Sequence, residues 1–281
     1  MPVLIQSDIF VEFLTNGETA TQIQEICQLI RDGELQAYVT ETTLTRVFSE
    51  MREKKALEFI LFELPFHVCR NNNDILNLAY ELMIDDFEIA LNVAYALQLK
   101  LTIITQNNHS LSQSLLTNYP QVRIRSAPDF LIEKNCSQLG NLLRQRNFHA
   151  ANQETIRVLQ RAANENDTCQ ITIPVLKKIP HEYLRLINQY WLEASGGKFG
   201  FSTQKTIWHQ VKSNPNFRET VTQFFAQVRW EWAEEKRSVT QREIPSGVEM
   251  PMGYFPLAIA NLNNLTGFFF VLDDLFSHNF D

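Results

Sequence analysis

A chain of 281 residues, 44% of them hydrophobic, is longer than one ordinary domain and carries enough apolar material for two cores. Its formal charge of -7 is unevenly placed: residues 1–133 hold 9 Lys and Arg against 18 Asp and Glu, whereas residues 134–281 hold 16 against 14. So acidic a front half repels phosphate backbones and counts against nucleic-acid binding, and the longest apolar run, Phe268 to Leu272, stops at Asp273 far short of the ~18 residues of a membrane span.

In chain order, Pro2-Val3-Leu4-Ile5 opens with neither a basic region nor a cleavage pattern, so the expectation is a cytoplasmic protein that stays where it is made. Val3-Leu4-Ile5 reads as a buried strand leading to Asp8, and Ile9 to Leu14 begins a helix. Further strands are expected at 66–70, 101–105 and 122–125, and Asp86 to Leu97 carries a helical pattern. Strands alternating with helices imply an α/β domain, a parallel sheet flanked by helices on both faces. The strand patterns stop past Leu131, which places the domains at 1–133 and 134–281. Cys27, Cys69, Cys136 and Cys169 are far apart, with no C-x-x-C; they suit a reducing compartment and offer no zinc site.

Asp86 to Leu97, followed by Leu101 to Asn107, resembles the late portion of a PIN domain, a fold best known for metal-dependent ribonucleases, and the likeness extends over 1–133. It implies that an active member gathers about four carboxylates at the carboxyl end of the sheet, since hard divalent cations need oxygen ligands to activate water. In this register Asp8 is the only matched acid; Arg46, Ile89 and Asn107 stand at the other three places, and neither arginine nor isoleucine can ligate magnesium. Glu41, Glu50, Asp85, Asp86 and Glu88 are near in sequence, but Glu88 and Ile89 lie about 100° apart on a helix, so one is no free replacement for the other. The expectation is a degenerate site with no catalytic residue and no metal, Asp8 serving to cap the helix after its strand.

Residues 134–281 read as all α. Leu139, Leu142 and Leu143 mark one helix; Ile156, Leu159 and Ala163 mark another; Pro180 opens a third through Leu184, Ile187 and Trp191, which Ser195-Gly196-Gly197 ends. A loop then presents Lys198, Phe199 and Phe201, and Ser202 can cap the following helix through Ile207 and Trp208. Phe217 to Arg237 reads as one long helix. Ile244 to Pro256, with three prolines and two glycines among Met250, Met252 and Tyr254, reads as a loop with an adaptable apolar surface. Gly267 to Phe276 is a buried strand or a docking helix, and periodicity does not choose between them.

The string W-L-E-A-S-G-G-K-F-G-F-S-T-Q-K-T-I-W, from Trp191 to Trp208, resembles the signature of the Genomes Uncoupled porphyrin-binding family. The likeness runs back through Leu139 to Leu143 and Ala150 to Thr155, and forward to Val228-Arg229-Trp230 and Gly253-Tyr254-Phe255-Pro256. It implies a helical domain that binds protoporphyrin IX or Mg-protoporphyrin IX and stimulates magnesium chelatase in chlorophyll biosynthesis, the macrocycle lying between the two loops. In the family the second loop ends in a G-H-L-P-like motif, where this chain has G-Y-F-P.

A flat macrocycle with two propionates needs apolar, aromatic and thioether surface for its face and cations at its rim. Phe199, Phe201, Met250, Met252 and Tyr254 can supply the first; Lys198, Arg237, Lys205 and Arg242 can supply the second. His181 and His209 read as surface or capping residues rather than metal ligands. Taken singly, Phe199, Phe201, Trp208 and Trp230 also fit as core residues. The reading that follows is a PIN-like α/β domain fused to an all-α porphyrin-binding domain, a non-catalytic tetrapyrrole sensor. Its rivals are a metal-dependent ribonuclease regulated by its C-terminal domain, which requires acids clustered around Asp8, and a protein-interaction scaffold, whose pocket Tyr254 or Phe255 would block.

Overall fold

Val3, Leu4 and Ile5 are shielded on both faces, and the first half of the chain is built outward from them. The computed structural model describes residues 2–51, 58, 60, 63–106, 118–165, 171–212, 216–233, 238–245, 248–257 and 265–280. Packing divides the chain into two units, Met1–Leu131 and Ile132–Asp281.

The first unit contains a five-stranded sheet of β1 (Val3–Ile5), β2 (Ala37–Thr40), β3 (His67–Cys69), β4 (Thr102–Ile104) and β5 (Arg123–Arg125), in the order β3-β2-β1-β4-β5. All its pairings are parallel: Val3 stands opposite Ala37 and Thr102, and Leu4 opposite Tyr38 and Ile103. Side chains alternate across the pleat. Val3, Ile5, Ala37, Val39 and Ile104 pack in one core with α1 (Ser7–Leu14), α2 (Ala20–Arg31) and α3 (Glu41–Met51). Leu4, Ile103 and Ile124 pack in a second core with α4 (Asn73–Glu81) and α5 (Phe87–Leu99). The sheet is therefore parallel and flanked by helices on both faces, as the alternating pattern implies. The chain winds outward from β1 to β3 and returns to β4 beside β1, so strand order reverses between β1 and β4, the place at whose carboxyl end open α/β sheets form a crevice. β2 is absent from the strands expected above, because Ala37-Tyr38-Val39-Thr40 passes directly into α3 at Glu41 with no turn residue to mark its end.

From α6 (Ala127–Asn135) onward the chain is mainly helical: α7 (Ser137–Arg144), α8 (Phe148–Ala162), α9 (Ile173–Leu176), α10 (His181–Ser195), α11 (Phe201–Val211), α12 (Phe217–Val228) and α13 (Leu265–Ser277). Trp191, Trp208, Trp230, Phe201, Phe224, Phe255 and Phe276 are among its fully buried side chains. The all-α expectation needs correction, because β6 (Trp230–Ala233) and β7 (Ser238–Gln241) form an antiparallel pair that sets Trp230 opposite Gln241 and Trp232 opposite Val239. The long helix expected through Arg237 ends at Val228. Arg229 takes a left-handed φ of 58°, and Trp230 turns inward against Phe224 and Phe225, with ring centroids 5.6 and 6.4 Å away. The helical spacing of Val221, Phe224, Phe225 and Val228 continues numerically to Trp232, which conceals the change from a period of 3.6 to one of 2. The Phe-rich segment near the end is helical, in α13. Among the described residues no helix is long and apolar enough to cross a membrane.

Candidate functional site

Gly196 and Gly197, at φ 64° and 82°, end α10 and free the chain to turn at once toward α11. Ser202 does not cap α11 as expected. The N-cap position is Gly200, which has no side chain to offer, and the cap comes from the preceding helix: Asn188 Oδ1 accepts from the Ser202 backbone N–H at 3.0 Å and from its hydroxyl at 3.1 Å. Ser195 Oγ accepts from the Phe199 N–H at 2.8 Å, and Thr203 Oγ1 donates to the Gly197 carbonyl. The loop between the helices is thus fixed at both ends.

A second loop, the expected segment ending at Pro256, is fastened to the first through main-chain bonds. Gly253 N–H donates to the Lys198 carbonyl and Gly200 N–H to the Phe255 carbonyl, both at 3.0 Å. Gln204, buried on α11, donates from Nε2 to the carbonyls of Gly253 (2.9 Å) and Pro256 (2.8 Å). Trp230 Nε1 and Gln241 Nε2 donate to the Tyr254 carbonyl, and Asn152 Oδ1 accepts from Leu257 N–H. Gly253 is held at φ 72°, and a Cβ there would stand 2.9 Å from Ile207 Cδ1. Sequence reading missed Gln204, although an amide on the buried face that also carries Phe201, Ile207 and Trp208 must find partners.

Against this frame lies a groove of about 570 Å³, lined by Gly197, Ser202, Thr203, Thr206, Ile207, Gln210, Gln227 and Met252. The residues expected to line a site are distributed unevenly around it. Met252 is 57% exposed and reaches the groove, whereas Met250 is half-buried against the core. Phe199, Phe201 and Tyr254 are interior. Phe199 packs with Phe148, Trp191 and Phe255, Trp191 stacking on Phe255 at 5.4 Å; Phe201 meets Phe280 at 5.6 Å. Tyr254 donates its hydroxyl to the Arg242 carbonyl. These three rings support the loops from beneath. Lys198 forms an ion pair with Glu249 that links the two loops, and hydrogen bonding to Lys198 holds the Glu249 carboxyl below its ordinary range. Lys205 donates to the His278 carbonyl and lies over the Phe280 ring, and Arg242 pairs with Glu231. Arg237 lies outside the described residues, as do Asn107 and Cys169.

The crevice of the first unit holds a different chemistry. Asp8 does not cap α1; its Oδ2 accepts from Thr105 Oγ1 at 2.6 Å and Gln106 N–H at 2.9 Å, bridging the ends of β1 and β4. The acid reaching in from α5 is Glu88 rather than a residue at Ile89, whose N–H is instead capped by Asp86. Glu88 is 5% exposed and accepts from Ser7 N–H, Ser7 Oγ, Thr43 Oγ1 and, at 3.0 Å, Arg46 Nη1. Arg46 also donates to Glu50 and Asp86; hydrogen bonding to Glu50 leads the causes that raise its pKa above the ordinary arginine value. A guanidinium thus stands beside the buried carboxylate and neutralises it. Among the described residues no group of three His, Cys, Asp or Glu is placed to hold a metal ion.

Two loops joined main chain to main chain beside an open groove, which α11 and α12 line with them, make this the candidate binding site of the second unit. Residues 132–275 match the GUN4-like family model, and the chain belongs to that family. It is 31% identical over 132 residues to the chloroplastic tetrapyrrole-binding protein of Arabidopsis thaliana, an alignment covering 43% of this chain and 48% of that protein. It is 33% identical over 139 residues to ycf53 of Porphyra purpurea, covering 49% and 53%. The chain spans about half the length of the curated relatives it matches. Among solved structures, ligand-free GUN4 of Arabidopsis thaliana is similar at 29% identity and a TM-score of 0.40, over 52% of this chain and 95% of that one.

Proposed function

We propose that this protein is a tetrapyrrole-binding regulator of chlorophyll biosynthesis that performs no catalysis, with protoporphyrin IX or Mg-protoporphyrin IX as ligand and magnesium chelatase as the protein it acts on. One coincidence carries the reading: the family match at 132–275 falls on the unit whose two loops frame the groove. The name of the Arabidopsis relative, a tetrapyrrole-binding protein, supplies the ligand class. The groove's volume lies within the range of small-molecule sites, roughly 300–1,000 Å³. In this reading Ile207 and Met252 take one face of the macrocycle and Lys198 takes a propionate, exchanging Glu249 for the ligand's carboxylate. Phe199, Phe201 and Tyr254 contribute by holding the loops, and Met250 by backing Met252.

We read the first unit as PIN-like, on the strength of its parallel sheet and of Asp8 and Glu88 at the sheet's carboxyl end, with Arg46 closing the site to a metal ion. The buried free thiols Cys27, Cys69 and Cys136 accord with a reducing compartment, which we take to be the cytoplasm. The test is a titration of the full chain with protoporphyrin IX and its magnesium form, followed by tryptophan quenching and by the Soret band. Saturable binding that Met252→Ala and Lys198→Ala each weaken is the expected result. Absence of saturable binding overturns the function, and binding indifferent to both substitutions overturns the site.

A further inference from the structure

The α4–α5 face of the first unit combines two properties that a solvent-facing surface seldom shows together. Leu76 and Tyr80 lie one turn apart on α4, Met83 follows in the connecting turn and Phe87 opens α5; they are 36%, 81%, 83% and 56% exposed. Met83 holds a left-handed φ of 53°, where glycine or asparagine is the ordinary choice. Between Arg70 and Lys100 the sequence has no Lys, Arg or His, yet it carries Asp74, Glu81, Asp85, Asp86 and Glu88. Arg46 answers Asp86 and Glu88, while Asp74, Glu81 and Asp85 form no ion pair among the described residues.

We propose that this face docks a protein partner through an amphipathic helix carrying Lys or Arg beside an apolar stripe. Leu76, Tyr80, Met83 and Phe87 offer exposed apolar surface to helical anchors at i, i+3 or i+4, and i+7, and Asp74, Glu81 and Asp85 near them in sequence select a basic rim. A second copy of this chain is disfavoured because it would bring the same three unanswered carboxylates to the contact, and nucleic acid is repelled by them. This inference stands apart from tetrapyrrole binding, since it concerns the other unit.

The experiment uses the full chain and two synthetic helical peptides with the same apolar stripe, one flanked by Lys and one by Glu, followed by fluorescence anisotropy. The expected result is binding of the Lys peptide alone, weakened about tenfold or more by the pair Tyr80→Ser with Met83→Ser. The charge reversal Glu81→Lys with Asp85→Lys should weaken it as well while leaving the apolar anchors intact. No binding of the Lys peptide, or binding unchanged in both double variants, overturns the proposal. So does a concentration-dependent dimer, seen in sedimentation velocity, that Tyr80→Ser with Met83→Ser abolishes, because the face then belongs to a second copy.

Discussion

Asn188 Oδ1 accepts from the backbone and the hydroxyl of Ser202, so one helix caps the next from fourteen residues away. A Cβ at residue 200 would stand 2.8 Å from that same oxygen, on a backbone held at φ 132°. Gly200→Ala is therefore expected to destabilise the second unit by about 2–3 kcal/mol, through strained backbone and a displaced cap. Asn188→Ala should cost about 1–2 kcal/mol by loss of the cap alone. All four tryptophans, Trp191, Trp208, Trp230 and Trp232, belong to this unit, so urea unfolding followed by their fluorescence reads it selectively.

Gln204 bonds two carbonyls of the second loop from a buried position. Gln204→Leu keeps the volume and orphans both carbonyls, for an expected loss of about 2–3 kcal/mol. The loop should loosen as well, so protoporphyrin IX should bind more weakly than to Thr206→Ala, which changes a groove residue outside this network. Equal affinities in the two variants would show that the loop's anchoring is irrelevant to the site.

In the proposed site Glu249 and a ligand carboxylate would compete for Lys198. Glu249→Gln removes the competitor, and the affinity for protoporphyrin IX is expected to rise a few-fold with little change in the unfolding midpoint, because Glu249 is exposed. Esterifying both propionates should erase the difference between wild type and Glu249→Gln.

Burial lowers the His278 pKa from its ordinary value of 6.5, so the folded protein favours the neutral ring. A base whose pKa is depressed on folding contributes its full stability above the unfolded value and loses it as pH falls toward the folded one. Stability should therefore decline below about pH 6.5 more steeply in wild type than in His278→Gln. The groups facing this ring include Asp274, His181 and Lys205, and Asp274 acts in the opposite direction. The comparison is made by urea unfolding at a series of pH values.

Arg46→Ala leaves Glu88 buried beside Asp86 without its cation. The expected cost is about 1–2 kcal/mol, smaller than for a fully buried pair because Arg46 is itself half-exposed. Amide exchange reports it directly, since the Ser7 N–H donates to Glu88 and should lose protection.

Where runs were apolar and bounded the sequence was legible: Val3-Leu4-Ile5 and Leu101 to Thr105 declare their strands, and the glycines after Ser195 declare the end of α10. β2 and the β6–β7 pair were not, since β2 runs into α3 with no turn residue between them and Trp232 happens to fall on the helical count. The aromatic residues of the first loop illustrate a different limit. Phe199 and Phe201 lie among glycines in a way that suits either a ligand platform or a packed corner, and only the structure shows both rings buried, against Trp191, Phe255 and Phe280. Glu88 and Ile89 differ by a single residue of register, and the bonds from Ser7 and Thr43 show that it is Glu88 that points inward.

The bonds joining Lys198 to Gly253 and Gly200 to Phe255 run between peptide groups and are indifferent to which side chains those positions carry, apart from the two glycines. The frame and the chemistry of its opening are therefore separable. Residues 198, 249 and 252 are expected to accept others of different charge or size while the loops keep their spacing, so changing what the groove admits calls for changes at the rim and none in the main-chain bonds beneath it.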